Sequence, residues 1–308
     1  MGKPFGLAVA FTGVALRVCA DVPGVDLGGG VDMPMLAFGS AHTSFTGCSV
    51  TQGVKQWIDL GGRHIDTANN YGTQPDVGEA VRQAGVPRGD LFLTTKIPGP
   101  IGRNKAMDMI VNVSLVQMGV SYIDLALIHA PCLESKYFPN ACGQKEAAER
   151  LDTWRGLLEL KRRGVLRAVG VSNFDAEQVS ELIQGTGVAP AVNQVEWHLG
   201  YHNETLRAAM AREGVVLEAW GPLGGPTAGH PGVALDDPRL KDLAARHGVS
   251  AAQVALRWSV HKGVAAVTVT CSKTHALGDL AAFAMDLTED EVALLDGLAP
   301  AGIAELVV

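Results

Sequence analysis

The feature that most constrains this chain is a repeating alternation. Short, near-continuously apolar runs lie at residues 35–40, 64–67, 91–96, 123–129, 168–172, 192–196, 216–220 and 265–270. Such runs are expected of strands covered on both faces. Helical stretches follow them at 50–60, 77–83, 105–118, 146–163, 176–183 and 204–213, then at 239–246, 251–260 and 289–298. Gly61, Gly85, Gly164 and Gly214 close four of these stretches, as glycine does at helix C-termini. Strand–helix units repeated eight times in roughly 250 residues predict an α/β fold closed as a (β/α)8 barrel. The competing doubly wound sheet usually carries a GxGxxG turn after its first strand, and none stands there. Residues 25–27 and 31–33 flank Gly28, Gly29 and Gly30 and predict a β-hairpin ahead of the barrel.

Composition narrows the partners. The chain has 308 residues, 47% hydrophobic and 19% charged, room for one large domain or two small ones. The repeat favours one domain over residues 23–308, and a monomer is expected. A net charge of -7 with no basic run argues against nucleic acid. No apolar stretch reaches the ~20 residues that span a bilayer. The five cysteines, Cys19, Cys48, Cys132, Cys142 and Cys271, form no CxxC pair, which argues against zinc or thioredoxin-type chemistry. Unpaired thiols in a reducing cytosol are expected, with Cys132 and Cys142, in one loop, as the pair that an oxidising compartment would join. Residues 1–22 read as a leader. Lys3, an apolar middle and Val18, Cys19 and Ala20 outline a secretory signal, while Arg17 interrupts it. The leader is a targeting segment or a disordered extension, and the location is cytoplasmic unless it is a signal.

In a barrel of this kind the chemistry sits at the C-terminal ends of the strands. Asp66 ends the second run and Tyr71 follows one loop later, in the stretch RHIDTANNY. Lys96 ends the third run and His129 the fourth. Core packing does not require ionisable groups at three successive strand ends. A free tyrosine has a pKa of ~10. A nearby lysine ammonium favours the phenolate, and an aspartate holds the lysine's charge. A neutral histidine can donate a hydrogen bond to an oxygen. Together these groups can polarise and protonate a carbonyl, but they carry no reductant, so a cofactor must bring the hydride. Ser172, Asn173, Asn193 and Gln194 at neighbouring strand ends suit a carboxamide, and Trp220 can stack on a ring. Each of them also reads as ordinary loop capping or core packing.

These residues together resemble the aldo-keto reductase family, and the likeness runs from about residue 25 to residue 298. Asp66, Tyr71, Lys96 and His129 fall on the family's catalytic set. GVSNF (170–174), NQVEWH (193–198), AWGPLG (219–224) and the stretch 237–258 resemble successive family segments. The resemblance implies a TIM barrel with an N-terminal hairpin cap and NADPH-linked reduction of small-molecule aldehydes or ketones. It makes Tyr71 the general acid, Lys96 its activator, Asp66 the support of Lys96, and His129 the group that orients the carbonyl. Ser172, Asn173 and Gln194 would hold the nicotinamide carboxamide. Trp220 would stack on the ring, Gly221 and Leu223 would cover the pyrophosphate, and Thr270 would line the adenosine end.

Three departures stand out. Val269 and His275 replace the Lys and Arg that usually grip the 2′-phosphate, so NADH is possible beside NADPH; Thr270, Ser272 and Lys273 remain nearby. Ala41 and Pro98 replace aromatic pocket walls. The long C-terminal substrate loop of the family is expected to be largely missing after Leu298. A cofactor-binding regulatory or interaction protein with weak or no activity is the alternative. An unrelated metal-dependent barrel using His64, His129 and His198 has no coherent ligand spacing, so no metal is expected.

Overall fold

The computed structural model describes residues 22–41, 47–133, 145–224 and 229–299. A hairpin comes first, β1 (Gly24–Asp26) against β2 (Asp32–Pro34), with Val25 opposite Met33. The repeating units then begin with β3 (Leu36–Gly39), α1 (Val50–Asp59), β4 (His64–Asp66) and α2 (Gln74–Ala84). Next come β5 (Phe92–Ile97), α3 (Arg103–Asp108) and α4 (Leu115–Met118), the two helices joined by a π-helical turn at Met109–Ser114. β6 (Ile123–Ile128), α5 (Lys145–Arg162), β7 (Leu166–Ser172) and α6 (Ala176–Thr186) continue the pattern. β8 (Val192–Glu196), α7 (Glu204–Arg212), β9 (Val216–Trp220), α8 (Pro238–His247) and α9 (Ala251–His261) follow. β10 (Ala265–Thr268), α10 (Lys273–Ala281) and α11 (Glu289–Asp296) complete the described elements.

Strands β3 to β10 form a closed parallel barrel, β10 pairing with both β9 and β3. The expected fold is therefore present, hairpin included. Local chemistry explains many boundaries. Ser49, Asp175, Ser250 and Thr288 each cap a helix reciprocally with a Gln or Glu three residues on. Gly85 adopts a left-handed conformation at the end of α2. One helix, α10, is absent from the sequence reading.

The core has two parts. Trp57, Trp154, Trp197 and Trp258 belong to the large apolar cluster that includes residues of both strands and helices. A smaller cluster fills the floor of the barrel: Phe92, Leu125, Leu127, Ala168 and Val192, met by Val31, Met33 and Met35 of the hairpin segment. Alternate residues of a strand share a face. The phase that contains Phe92 continues through Thr94 to Lys96, and that of Val192 through Gln194 to Glu196. The barrel interior thus changes from apolar to polar along the strands.

The expectation of unpaired thiols is overturned. Cys48, just before α1, is disulfide-bonded to Cys271, which lies between β10 and α10, with the two Cα atoms 5.8 Å apart. Cys132 is disulfide-bonded as well. Barrel closure is the physical reason: β10 lies beside β3, so the segments that follow them are neighbours despite a separation of 223 residues. Of the leader reading, residues 1–22, all but residue 22 lie outside the described residues, as do Cys19 and Cys142. None of the described helices is long and apolar enough to cross a membrane.

Candidate active site

The ionisable strand ends converge at the C-terminal mouth. The register sets Asp66 beside Thr94 on β5 and Lys96 beside Leu127 on β6. Lys96 Nζ donates to both carboxylate oxygens of Asp66, at 2.5 and 2.7 Å, and to the Thr67 carbonyl at 3.3 Å. Both residues are buried. Burial works to strip the ammonium of its proton. The charge of Asp66, then Tyr71, the Asp66 hydrogen bond and Glu218 oppose that, and the Lys96 pKa stands above the usual lysine value.

Tyr71 closes the short helical turn Asn69–Tyr71 over this pair. Its ring centroid lies 5.2 Å from Lys96 Nζ. Its hydroxyl is 3.4 Å from His129 Nε2, with the two rings edge to face. His129 Nδ1 is 3.0 Å from Asn70 Oδ1. That oxygen can only accept, so Nδ1 carries the proton and Nε2 presents a lone pair toward Tyr71. Burial, and next the Lys96 charge, lower the His129 pKa to about 3, so the ring is neutral. The sequence reading has His129 donating to a substrate oxygen; here its Nε2 faces the Tyr71 hydroxyl.

The amide rim is tied to the same cluster. Asn173 is the one described non-glycine residue with positive φ, at 62°, a conformation concentrated at functional sites. Its Nδ2 donates to the His129 carbonyl at 2.9 Å and to Ser172 Oγ at 3.1 Å. Its Oδ1 accepts from Trp220 Nε1 at 2.9 Å, which anchors the indole at the end of β9. Ser172 Oγ donates to the Gln194 carbonyl at 2.8 Å. Gln194 Nε2 donates to Asp66 Oδ2 at 3.0 Å and to Glu218 Oε2 at 2.7 Å.

Asp66, Tyr71, Lys96, His129, Ser172, Asn173, Gln194 and Trp220 therefore form one connected constellation. Gly221, at φ 63°, and Leu223 continue from Trp220 into the next loop. Thr270 stands apart from this network; its hydroxyl accepts from the Ser272 backbone N–H at 3.1 Å. Ser272 caps α10, and Lys273 and His275 are exposed in its first turn, while Val269 is also exposed. Ala41 and Pro98 are half-buried.

Asn193 is not a rim donor: its Nδ2 is buried and bonded to the Phe174 carbonyl at 2.8 Å. His64 is a structural residue, with Nδ1 2.8 Å from the Pro34 carbonyl and Nε2 2.9 Å from Thr94 Oγ1. Burial foremost lowers its pKa to about 4. His198 is bonded to the Leu199 carbonyl and to Glu196. The sequence reading passed over Asn70 and Glu218. For Glu218 a signal was present: a carboxylate in the middle of an apolar strand, in phase with Trp220.

Comparison with known proteins gives one answer. A model described as "Aldo/keto reductase family" matches residues 35–300. An aldo-keto reductase of Mycobacterium sp. (strain MCS) is 35% identical, over 91% of this chain and 92% of its own length. The 2,5-diketo-D-gluconic acid reductase B of Corynebacterium sp. (strain SHS752001) is 37% identical, over 78% of this chain and 81% of its own length. Among solved structures, a Bombyx mori aldo-keto reductase in complex with NADP superposes with a TM-score of 0.80 at 31% identity, covering 90% of this chain and 92% of that one.

Proposed function

The chain belongs to the aldo/keto reductase family and is an oxidoreductase, and we propose that it reduces a small-molecule aldehyde or ketone with Tyr71 as the proton donor. The observation that carries this reading is the buried Lys96–Asp66 pair beneath a phenol that also meets a neutral imidazole. A reduced nicotinamide, when bound, supplies the hydride. Tyr71 gives its hydroxyl proton to the carbonyl oxygen. The Lys96 ammonium, fixed by Asp66, stabilises the phenolate left behind. His129 receives the Tyr71 hydroxyl in the resting site, and its uncharged ring, tied back to Asn70, orients the group that enters.

The rim fits a carboxamide. Both Gln194 amide protons are taken by carboxylates, and its Oε1 accepts no hydrogen bond from any described residue. An acceptor facing the mouth suits the carboxamide N–H of a nicotinamide. Ser172 and Asn173 frame the same edge, and Trp220, held by Asn173, offers the stacking face. Gly221 and Leu223 lie where a pyrophosphate would pass, and Thr270 marks the adenosine end. The Bombyx relative was solved with NADP. Here the first turn of α10 offers the exposed Lys273 and His275 and the positive end of the helix to a phosphate. We assign NADPH as the preferred cofactor, with NADH used less well because no arginine completes the grip.

The working assembly is a monomer. The cytoplasmic location and its exported alternative are separated by the disulfides, which a reducing cytosol opens; thiol titration of freshly extracted protein decides between them. The function itself is tested by NADPH oxidation across a panel of aldehydes and ketones that includes keto-sugar acids. Turnover with at least one class is expected. Cofactor binding without turnover on any of them contradicts the reductase reading and leaves a binding protein.

A further inference from the structure

Glu218 is the buried ionisable group that the proposed chemistry leaves unused. It sits on β9 directly opposite Gln194 on β8, so the two side chains share a face inside the barrel. It is fully buried. Oε2 accepts from Gln194 Nε2 at 2.7 Å, and Oε1 has no hydrogen-bond partner among the described residues. His64 Nε2 is 3.9 Å from Oε1, but that nitrogen is already engaged by Thr94. Packing gives no reason to hold a carboxyl here, since burying one on a single hydrogen bond is costly.

On the reading that the mouth holds a nicotinamide, we infer that Glu218 is a positioning residue that fixes which end of the Gln194 amide faces the cofactor. Gln194 bridges the barrel from Glu218 on β9 to Asp66 on β4. Turning the amide over would set its oxygen against two carboxylates. Asp66 alone is the weaker anchor, because both its oxygens already receive Lys96. With Glu218 in place, Nε2 points inward and Oε1 outward, an acceptor that reads the carboxamide N–H. Burial, and next the Asp66 charge, push the Glu218 carboxyl up to about 7. The bond to Gln194 survives that titration, because a protonated carboxyl still accepts through its carbonyl oxygen.

The test compares NADPH with its 3-acetylpyridine analogue, which keeps the carbonyl and lacks the N–H. Dissociation constants are read from tryptophan fluorescence. Wild type is expected to favour NADPH by about tenfold, the worth of one hydrogen bond. Glu218→Leu should narrow that ratio to about twofold, with an unchanged circular dichroism spectrum. Glu218→Gln, which keeps an acceptor oxygen, should restore most of it. Glu218→Ala carries the same expectation as the leucine variant if leucine prevents folding. Wild-type discrimination retained in the Leu or Ala variant overturns the inference, as does a Gln variant no better than Leu. Failure of the wild type to bind either cofactor is a different result: it removes the nicotinamide reading and the inference with it.

Discussion

The two ends of this barrel are built from the same strands and both are buried, yet they are held by opposite means. At the floor, Met33 of the hairpin packs with Phe92, Leu125, Leu127 and Val192, and burial of apolar surface is the stabilising term. At the mouth, the same strands carry Asp66, Lys96, Gln194 and Glu218, whose removal from water costs free energy that hydrogen bonds only partly offset. The mouth has a covalent tie that the floor lacks among the described residues, the disulfide between Cys48 and Cys271. Apolar burial holds one end, while the other carries the reactive charges and a covalent tie beside them.

Exchanging the effects of substitutions at the two ends would break that comparison. The largest expected effect is at the mouth. Lys96→Met should lower kcat by about 10³; it also strands the buried Asp66 carboxylate at a cost of about 3–5 kcal/mol, which adding Asp66→Leu should largely recover without restoring kcat. Met33→Ala should cost about 2–5 kcal/mol in denaturant unfolding with kcat retained. Cys48→Ser, or mild reduction, should cost about 2–4 kcal/mol, given the long loop that the bond closes. Hydrogen exchange should then rise around α10 and the start of α1 before it rises at the hairpin.

The smallest expected effect is a pH slope that sharpens the contrast. His64 and His129 are held neutral with pKa values of about 4 and about 3. The unfolded chain binds more protons than the folded one below about 6.5, so their share of stability is full above that pH and is lost as pH falls. Glu218, raised to about 7, works the other way: its share is present below about 4.5 and is lost as pH rises through about 7. Asp279, raised to about 6 chiefly by burial, acts in the same sense as Glu218. Two histidines set against two carboxyls leave little net slope between about pH 6.5 and 4.5. His64→Asn should upset that balance, so that stability rises as pH falls across this window, as measured by urea unfolding at several pH values.

The same contrast explains what the sequence disclosed. The alternation of apolar runs and helical stretches is a local pattern repeated along the chain, so the closed barrel and its hairpin were legible. Asp66, Lys96 and His129 were legible because a charge at the end of an apolar run is conspicuous. Glu218 was overlooked because it lies inside its run, although the two-residue phase shared with Trp220 points it into the barrel. Helix α10 was missed because Lys273, Thr274 and His275 open it with polar residues and Gly278 interrupts it; its Ser272 cap and the four-residue spacing of buried Ala276 and Leu280 were the available signal. The bond from Cys48 to Cys271 has no local signature, because only closure of the barrel makes those segments neighbours. The orientation of His129 depends on Asn70, a contact that spacing alone does not reveal.

The most direct measurement of the central claim is single-turnover reduction of a reactive aldehyde by Tyr71→Phe preloaded with NADPH. The variant should bind cofactor within about twofold of wild type, since its phenol is absent from the proposed nicotinamide contacts, and its reduction rate should fall by about 10²–10⁴. A rate close to that of wild type would mean that the proton comes from another group and that the buried ammonium and carboxylate beneath Tyr71 serve some other purpose.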